Sequence, residues 1–528
     1  PDPDAMPRFY LTTAIDYANG DPHAGHAFEK IGADVVARYR RRLGEDVRFV
    51  IGMDEHGQSI VQEAEQRGIE PQDLVDRMAG VFRDVWDRLA ISYDDFIRTT
   101  EDRHHRAVHA ILERVREAGD LYRDTYEGYY CVRCEAFKKE DDLEEGRCPV
   151  HPDREIAWTE EENYFFRLSK YRDPLLEHVR EHPEFIRPES RRNEILRLLE
   201  GGLDDVSASR SRIRWGTPFP GEERHTVYVW LDALTNYLSA IGYPGDTHRD
   251  WWPAELHVIG KDITRFHCVI WPALLMSAGL DLPETVWGHG FVSVSGGKIS
   301  KSAGARLDLD ALVERHGPDA FRYFMMREAH WDGDRDFTSP RALIEAFDAR
   351  YESELANDLG NLLNRVVAMV EKYRDGMVPS GADTSLDGDR RRALDAYHQA
   401  MEGYLLHRGL ETALDLVRRA NGYVDEAEPW TLARLEREAE NGDLGGDADP
   451  EPARPGPRLD AVLGSLVRAL AVAAVALEPF LPAKSRALWT QLGGDEPLPT
   501  FDGLEARTGG LKRVRGDDVL FPRREASA

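Results

Sequence analysis

A chain of 528 residues, 41% hydrophobic and 31% charged, has length for three or four folding units of about 150 residues each and ample material for their cores. Its formal net charge of −28 argues against indiscriminate nucleic-acid binding, since bulk attraction to phosphate needs a positive field, although RYRRRLG (38–44) and DRRRALD (389–395) leave room for a local basic groove. No apolar run reads as the roughly 18 residues a membrane-spanning helix needs, and four cysteines do not make a disulfide framework, so the expectation is a cytoplasmic protein with no membrane partner.

In chain order, RFYLTTAI (8–15) and DVRFVIGMD (46–54) read as strands. Each is followed by a helical pattern; after PHAGH (22–26), Ile31, Val35, Val36 and Tyr39 recur at helical spacing. Residues 120–225 break that rhythm, hold three of the four cysteines and read as an insertion between two halves of one sheet. TVYVWLDA (226–233), LHVIGKD (256–262) and TVWGHGFVSV (285–294) then read as buried strands. Strands alternating with helices predict an α/β, doubly wound parallel sheet covered on both faces. From about 340 the period becomes 3.6 and the strands stop. The stretches 342–373 and 393–430 read as long amphipathic helices, and 458–482 as another that ends at Pro479 and Pro482. The Gly-, Asp- and Pro-rich stretch 441–457 reads as a surface loop. The predicted organisation is a catalytic domain in two halves, 6–119 and 226–290, around an insertion, 120–225. A lysine-loop connector, 291–345, and an all-α domain, 346–528, follow.

The junction at PHAGH carries the first chemistry. A helix starting near Gly25 leaves unpaired backbone N–H groups and a positive dipole end, a site for phosphate. Gly25, without a Cβ, would let a flat base or ribose approach, and His23 and His26 could donate to phosphate oxygens as charge develops. Past the last predicted strand, GGKISKSAG (296–304) sets Lys298 and Lys301 three apart among small residues, which suits a loop that grips and releases a triphosphate. Asp262 lies at a strand end, where its carboxylate can accept from a ribose hydroxyl, and Gly260 would let backbone approach a nucleotide. In the insertion, Cys131, Cys134, Cys148 and His151 form two knuckles of two-residue gap, 13 residues apart, the donor set of one structural Zn²⁺ per chain. Cys268, in apolar FHCVIW, reads as core.

Taken together, PHAGH and KISKS resemble the His-Ile-Gly-His and Lys-Met-Ser-Lys-Ser signatures of class I aminoacyl-tRNA synthetases, with changes at Ala24 and Ile299. TAIDYANGDPHAGH, GMDEHG, YVWLDAL, GKDITRFH, DEAEPW and the cysteine knuckles are similar, in order and spacing, to the methionyl-tRNA synthetase family within that class. The resemblance covers almost the whole chain. It implies a methionine pocket of Ala14, Ile15, Tyr17, Trp230, Tyr237, Ile263, Phe266 and His267, with Asp54 holding the α-ammonium and Tyr17 or His267 donating weakly to the sulfur. Leu234 stands where the family usually has proline. ATP is implied as a substrate with Mg²⁺, L-methionine and methionine tRNA (initiator and elongator) as the others, and a monomer as the assembly. Anticodon contacts are implied at Asn361, Arg365 and Trp430; Asn361 and Arg365 are four apart, hence on one helical face. The alternatives are a class I synthetase for leucine, isoleucine, valine or cysteine, or a non-catalytic tRNA-binding relative. The insertion looks too short for the branched-chain enzymes, and the intact His23, His26, Lys298 and Lys301 speak against the last.

Overall fold

The computed structural model describes residues 6–131, 136–138, 140–144, 146–149, 156–294, 297–298, 308–441, 454–516 and 519–523. These fall into two compact units, one of 8–22 and 47–290, the other of 23–46 and 291–528 with the first residues.

The first unit is built on a parallel sheet. Asp95–Arg98, Asp46–Asp54, Arg8–Thr13, Leu256–Gly260, Thr285–His289 and Ile186–Arg187 lie side by side in that order, with Asp16–Tyr17 paired to the end of Asp46–Asp54. Strands covered on both faces read as continuous apolar runs. FYL, FVI and HVI are buried throughout. The sheet grows from Arg8–Thr13 towards one edge and later from Leu256–Gly260 towards the other. Growth therefore reverses between these two neighbours, whose register pairs Leu11 with Leu256 and Thr13 with Val258.

Three expectations are corrected here. TVYVWLDA is not one strand: Glu222–Val227 ends in a small antiparallel sheet, and Val229–Leu234 is helical. A short buried apolar run has no period that separates strand from helix. TVWGHGFVSV breaks at Gly288–Gly290; Thr285–His289 stays in the parallel sheet, and Val292–Val294 pairs with Gly297–Lys298 and Arg335–Phe337 in the second unit. Residues 120–225 do not stand wholly apart from the sheet. Leu121–Cys131 and Ala157–Phe166 make an antiparallel ribbon, but Ile186–Arg187 forms the last parallel strand. Leu168, Leu175, Val179, Ile195 and Leu199 share one core with Ile111, Leu274 and Val286.

The second unit holds the helix Ala24–Arg42, the small sheet just named and the C-terminal helices. Charge ties the Ala24–Arg42 helix down. Asp34 and Arg322 pair at 2.7 Å, both fully buried, and Arg38 reaches Asp34 at 2.7 Å and Glu478 at 3.0 Å. Arg322 also donates to Pro479 O at 2.6 Å, so the buried guanidinium is shared between carboxylate and carbonyl. The 342–373 pattern is a continuous helical run, Pro340–Arg350, a π-helical turn Tyr351–Gly360, then Asn361–Arg374. The 393–430 pattern is not one helix: Ser385–Glu402 and Leu406–Ala427 flank a turn where Tyr404 adopts φ +57°. Pro482 opens the helix Pro482–Gln491 rather than ending the one before it. Pro455–Leu477 also corrects the reading of apolar runs. It is long and apolar enough to cross a membrane by length and composition, yet 83% of its apolar window is buried as core. Most of the 441–457 stretch lies outside the described residues.

Candidate active site

In open α/β sheets, ligands bind beyond the carboxyl ends of the strands where growth reverses. Six of the residues singled out in the first unit lie at or just beyond those strand ends. Ala14 and Ile15 follow Arg8–Thr13, and Ala14 N–H donates to Val258 O at 2.9 Å. Tyr17 pairs with Asp54, the last residue of Asp46–Asp54. Gly260 ends Leu256–Gly260, and Asp262 is exposed in the 3₁₀ turn Lys261–Ile263 just beyond it. Gly52 makes the Ile15 approach possible: a Cβ there would strike Ile97 O and lie 3.0 Å from Ile15 Cγ2.

The aromatic wall comes from two short helical segments. Trp230, on Val229–Leu234, stacks on Phe266 with ring centroids 3.7 Å apart and planes 4° apart. Phe266 opens a π-helical turn, Phe266–Ile270, a local widening frequent at functional sites. His267 stands edge-on to Trp230 at 6.3 Å. Its Nδ1 lies 3.1 Å from Ile263 O, and a carbonyl only accepts, so Nδ1 carries the proton and Nε2 accepts from Tyr237 OH at 2.7 Å. Both ring nitrogens of His267 are thereby engaged. The expectation that His267 donates to a sulfur is corrected: its role is to fix Tyr237 and the wall. Burial, and His267 alongside, push the His257 imidazole well below its usual value, so this ring behind Tyr237 is neutral.

Sequence reasoning missed what stands behind the wall. Asp232, fully buried on the same helix as Trp230, accepts from His56 Nδ1 at 2.6 Å and from Thr217 Oγ1 at 2.6 Å; His104 Nε2 lies 3.3 Å from its Oδ1. Burial opposes ionisation of Asp232, but His56 and His104 hold its carboxyl well below the usual carboxylate range. Beside it, Glu55 binds Arg98 at 2.6 Å, and its carbonyl accepts from Trp215 Nε1 at 2.6 Å. His56 and Asp232 stand inside GMDEHG and YVWLDAL, so the motifs flagged the segments. Nothing local shows that residues 176 apart share a proton.

In the second unit, His23 and His26 open the helix Ala24–Arg42 as a reciprocal cap. His23 Nδ1 accepts from Gly25 N–H at 3.1 Å and His26 N–H at 3.4 Å, while His23 N–H donates to His26 Nδ1 at 3.3 Å. The two rings stack with centroids 3.7 Å apart. This corrects the expectation of unpaired amides: the imidazoles themselves cap them. It also decides the tautomer, because a ring accepting at Nδ1 in its neutral form carries its proton on Nε2. Gly25 matters for a different contact than expected. A Cβ there would lie 3.0 Å from His23 Cε1 and 3.1 Å from its Nδ1, so the missing side chain makes room for the cap.

Lys298 lies in the strand pair Ser293–Lys298, and Lys301 lies outside the described residues. Cys131 and Cys148 are both buried, the first at the end of Leu121–Cys131 and the second just after a turn in which Glu144 and Arg147 exchange backbone hydrogen bonds at 2.9 Å. Cys134 and His151 lie outside the described residues. Cys268 is core, and burial pushes its thiol up. Trp430 is 44% exposed at the second position of Pro429–Glu440. Asn361 is exposed, and Arg365 donates to Asp425 Oδ1 at 2.9 Å.

A reversing parallel sheet with an aromatic wall, in a chain whose paired imidazoles cap a helix start, defines an α/β nucleotide-dependent ligase of the class I synthetase type. The family model for class I tRNA synthetases (M) matches residues 9–156 and 140–367. The methionine–tRNA ligase of Thermotoga maritima is 46% identical over 438 residues, 81% of this chain and 69% of that protein. That of Bacillus subtilis is 41% identical, covering 98% of this chain and 78% of its own length. The solved methionyl-tRNA synthetase of Mycobacterium tuberculosis in complex with methionyl-adenylate superposes with a TM-score of 0.90 at 38% identity, covering 98% of this chain and 100% of that one. The chain belongs to the methionine branch of the class I tRNA synthetases.

Proposed function

We infer that this chain is a methionine–tRNA ligase, which joins L-methionine to ATP as methionyl-adenylate, releases pyrophosphate and passes the methionyl group to the terminal adenosine of methionine tRNA. The observation that carries the residue assignments is the Trp230–Phe266 stack, braced by Tyr237 and His267 at the reversing edge of the sheet. A thioether is polarizable and packs well against such aromatic surfaces. Ala14, Ile15, Tyr17 and Ile263 complete the apolar pocket, and the Asp54 carboxylate holds the α-ammonium. Asp262 accepts from the ribose, with Gly260 giving the backbone approach.

In the activation step the methionine carboxylate attacks the α-phosphorus of ATP, and pyrophosphate leaves with the bonding electrons. The protein contributes position and charge stabilisation, not a covalent intermediate. His23 and His26 present Nε2–H donors to the phosphate oxygens, held at that tautomer by the capping bonds at Nδ1. Lys298 and Lys301 add point charges as negative charge moves to pyrophosphate. Mg²⁺ would enter with ATP as part of the substrate, supplying charge neutralisation at its phosphates. Cys131, Cys134, Cys148 and His151 would hold one Zn²⁺. The two described thiols are buried while Trp158 on the neighbouring strand is exposed, and three thiolates and an imidazole suit zinc. Bound there, zinc supplies folding energy to the ribbon.

Anticodon reading belongs to the helical part. Trp430 offers an exposed indole for base stacking, and Asn361 and Arg365 offer hydrogen-bond donors on one helical face. The working form is a cytoplasmic monomer acting on initiator and elongator tRNA alike. Methionine-dependent ATP–pyrophosphate exchange tests the first half of this reading; no exchange above background with methionine, or equal exchange with leucine, would refute it. Trp430→Ala tests the second. It raises KM for tRNA about 10–100-fold, from a stacking energy of about 1–3 kcal/mol, and leaves exchange intact. Normal charging by that variant would return Trp430 to a surface role.

A further inference from the structure

His330, Asp332 and His407 meet on the second unit, and none of them is among the residues assigned above. Residues 330–333 form a turn after the helix Pro318–Glu328, closed by Gly333 N–H donating to His330 O at 3.1 Å. Within it Trp331 is buried, and a Cβ on Gly32 of the helix Ala24–Arg42 would come within 2.5 Å of its ring. That anchor leaves His330 and Asp332 exposed on either side of it. His407 is the second residue of the helix Leu406–Ala427, whose first residue is fully buried. One ligand atom from each of His330, Asp332 and His407 lies within 4.8 Å of the others. A second observation is independent of that clustering. His407 is only 8% exposed, and its Nδ1 is buried with no hydrogen-bond partner among the described residues.

We propose that His330, Asp332 and His407 bind a divalent zinc ion, distinct from the one assigned to the cysteine knuckles. Two imidazoles and one carboxylate are nitrogen and oxygen donors of the kind zinc takes, with a fourth position left to water. The two rings now stack face to face, with centroids 4.1 Å apart and planes 10° apart. Parallel rings cannot both aim an in-plane lone pair at one ion, so His330 turns edge-on when the ion binds. Its exposure allows that turn. Ligand atoms around tetrahedral zinc stand about 3.3 Å apart, so the set closes by at most about 1.5 Å. The bound ion clamps the 330–333 turn to the start of Leu406–Ala427 and so holds Trp331 against Gly32, on the helix that begins with the His23–His26 cap.

The test is zinc stoichiometry of the untagged full chain. Protein stripped with a chelator is titrated with zinc chloride at pH 7.5 and followed by calorimetry and elemental analysis, alongside His330→Ala, Asp332→Asn and His407→Ala. Wild type is expected to take up one equivalent more than His330→Ala, and Asp332→Asn to bind that equivalent at least tenfold more weakly. Replacing zinc by Co²⁺ should give a visible band in wild type that is weakened in His330→Ala. Equal stoichiometry in wild type and His330→Ala overturns the proposal, as does zinc uptake indifferent to Asp332→Asn. Should His407→Ala fail to fold, His330→Ala decides alone, because its side chain is exposed.

Discussion

Two pairs of histidines in this chain use the same ring for opposite purposes. His23 and His26 are only part-buried and spend Nδ1 on the backbone of a helix start, which leaves the proton of each neutral ring at Nε2. His56 and His104 are buried, and their partner is the carboxylate of Asp232. We propose that one pair meets an anion that arrives; the other surrounds an anion that never leaves. Burial and the charge of the partner, rather than residue type, make the difference.

Breaking the first pair should have the largest effect. His26→Ala removes a donor and uncaps His23 N–H, and adenylate formation should fall about 10²–10³-fold in pre-steady-state kinetics, the usual loss for one transition-state donor. Methionine affinity should barely move. Exchange near the wild-type rate would mean the part-buried pair is as structural as the buried one.

Asp232→Asn attacks the second pair. Hydrogen bonds to a buried charged group contribute about 1.5–3 kcal/mol, so chemical denaturation should report a loss of that order. KM for methionine should rise with it, because Asp232 shares a helix with Trp230. The pH dependence has a definite sign. The folded carboxyl is held below its unfolded value of about 3.9, so its contribution is complete above that value and is lost as pH falls through the folded one. The gap in stability between wild type and variant should therefore begin to narrow as pH falls below about 4. A constant gap down to acid unfolding would show that Asp232 works by shape alone.

Gly25→Ala is the finest probe. Its Cβ would press on His23 Cε1 at 3.0 Å, moving the ring without removing a donor. An exchange rate lowered about tenfold, far less than in His26→Ala, with the melting temperature held within a few degrees, would show that ring placement carries part of the rate. An unchanged rate would assign the glycine to the start of the helix alone.

Much of this was legible in one dimension because it is local. Strand runs at 8–15, 46–54 and 256–262, the helix start at PHAGH and the C-x2-C spacing each depend on residues within a few positions of one another. The errors share a cause. VWLDA and the apolar helix Pro455–Leu477 carry hydrophobicity without a distinguishing context, so only packing decides strand against helix, or core against membrane span. At the break Gly403 caps the helix with an ordinary negative φ, and the positive φ falls on Tyr404, a residue type that does not announce it.

The chemistry proposed for this chain rests on features local in its sequence: imidazoles at a helix start, lysines among small residues, a carboxylate at a strand end and thiols at knuckle spacing. Tertiary structure alone decided how those groups are held. The Tyr237 hydroxyl is held by His267, 30 residues away, the charge on Asp232 by His56, 176 residues away, and the helix behind His23 by Arg322 and Glu478. Protonation state and orientation are set by whichever dipoles and charges lie within a few ångströms once water is gone, and in a folded chain those come from anywhere along it.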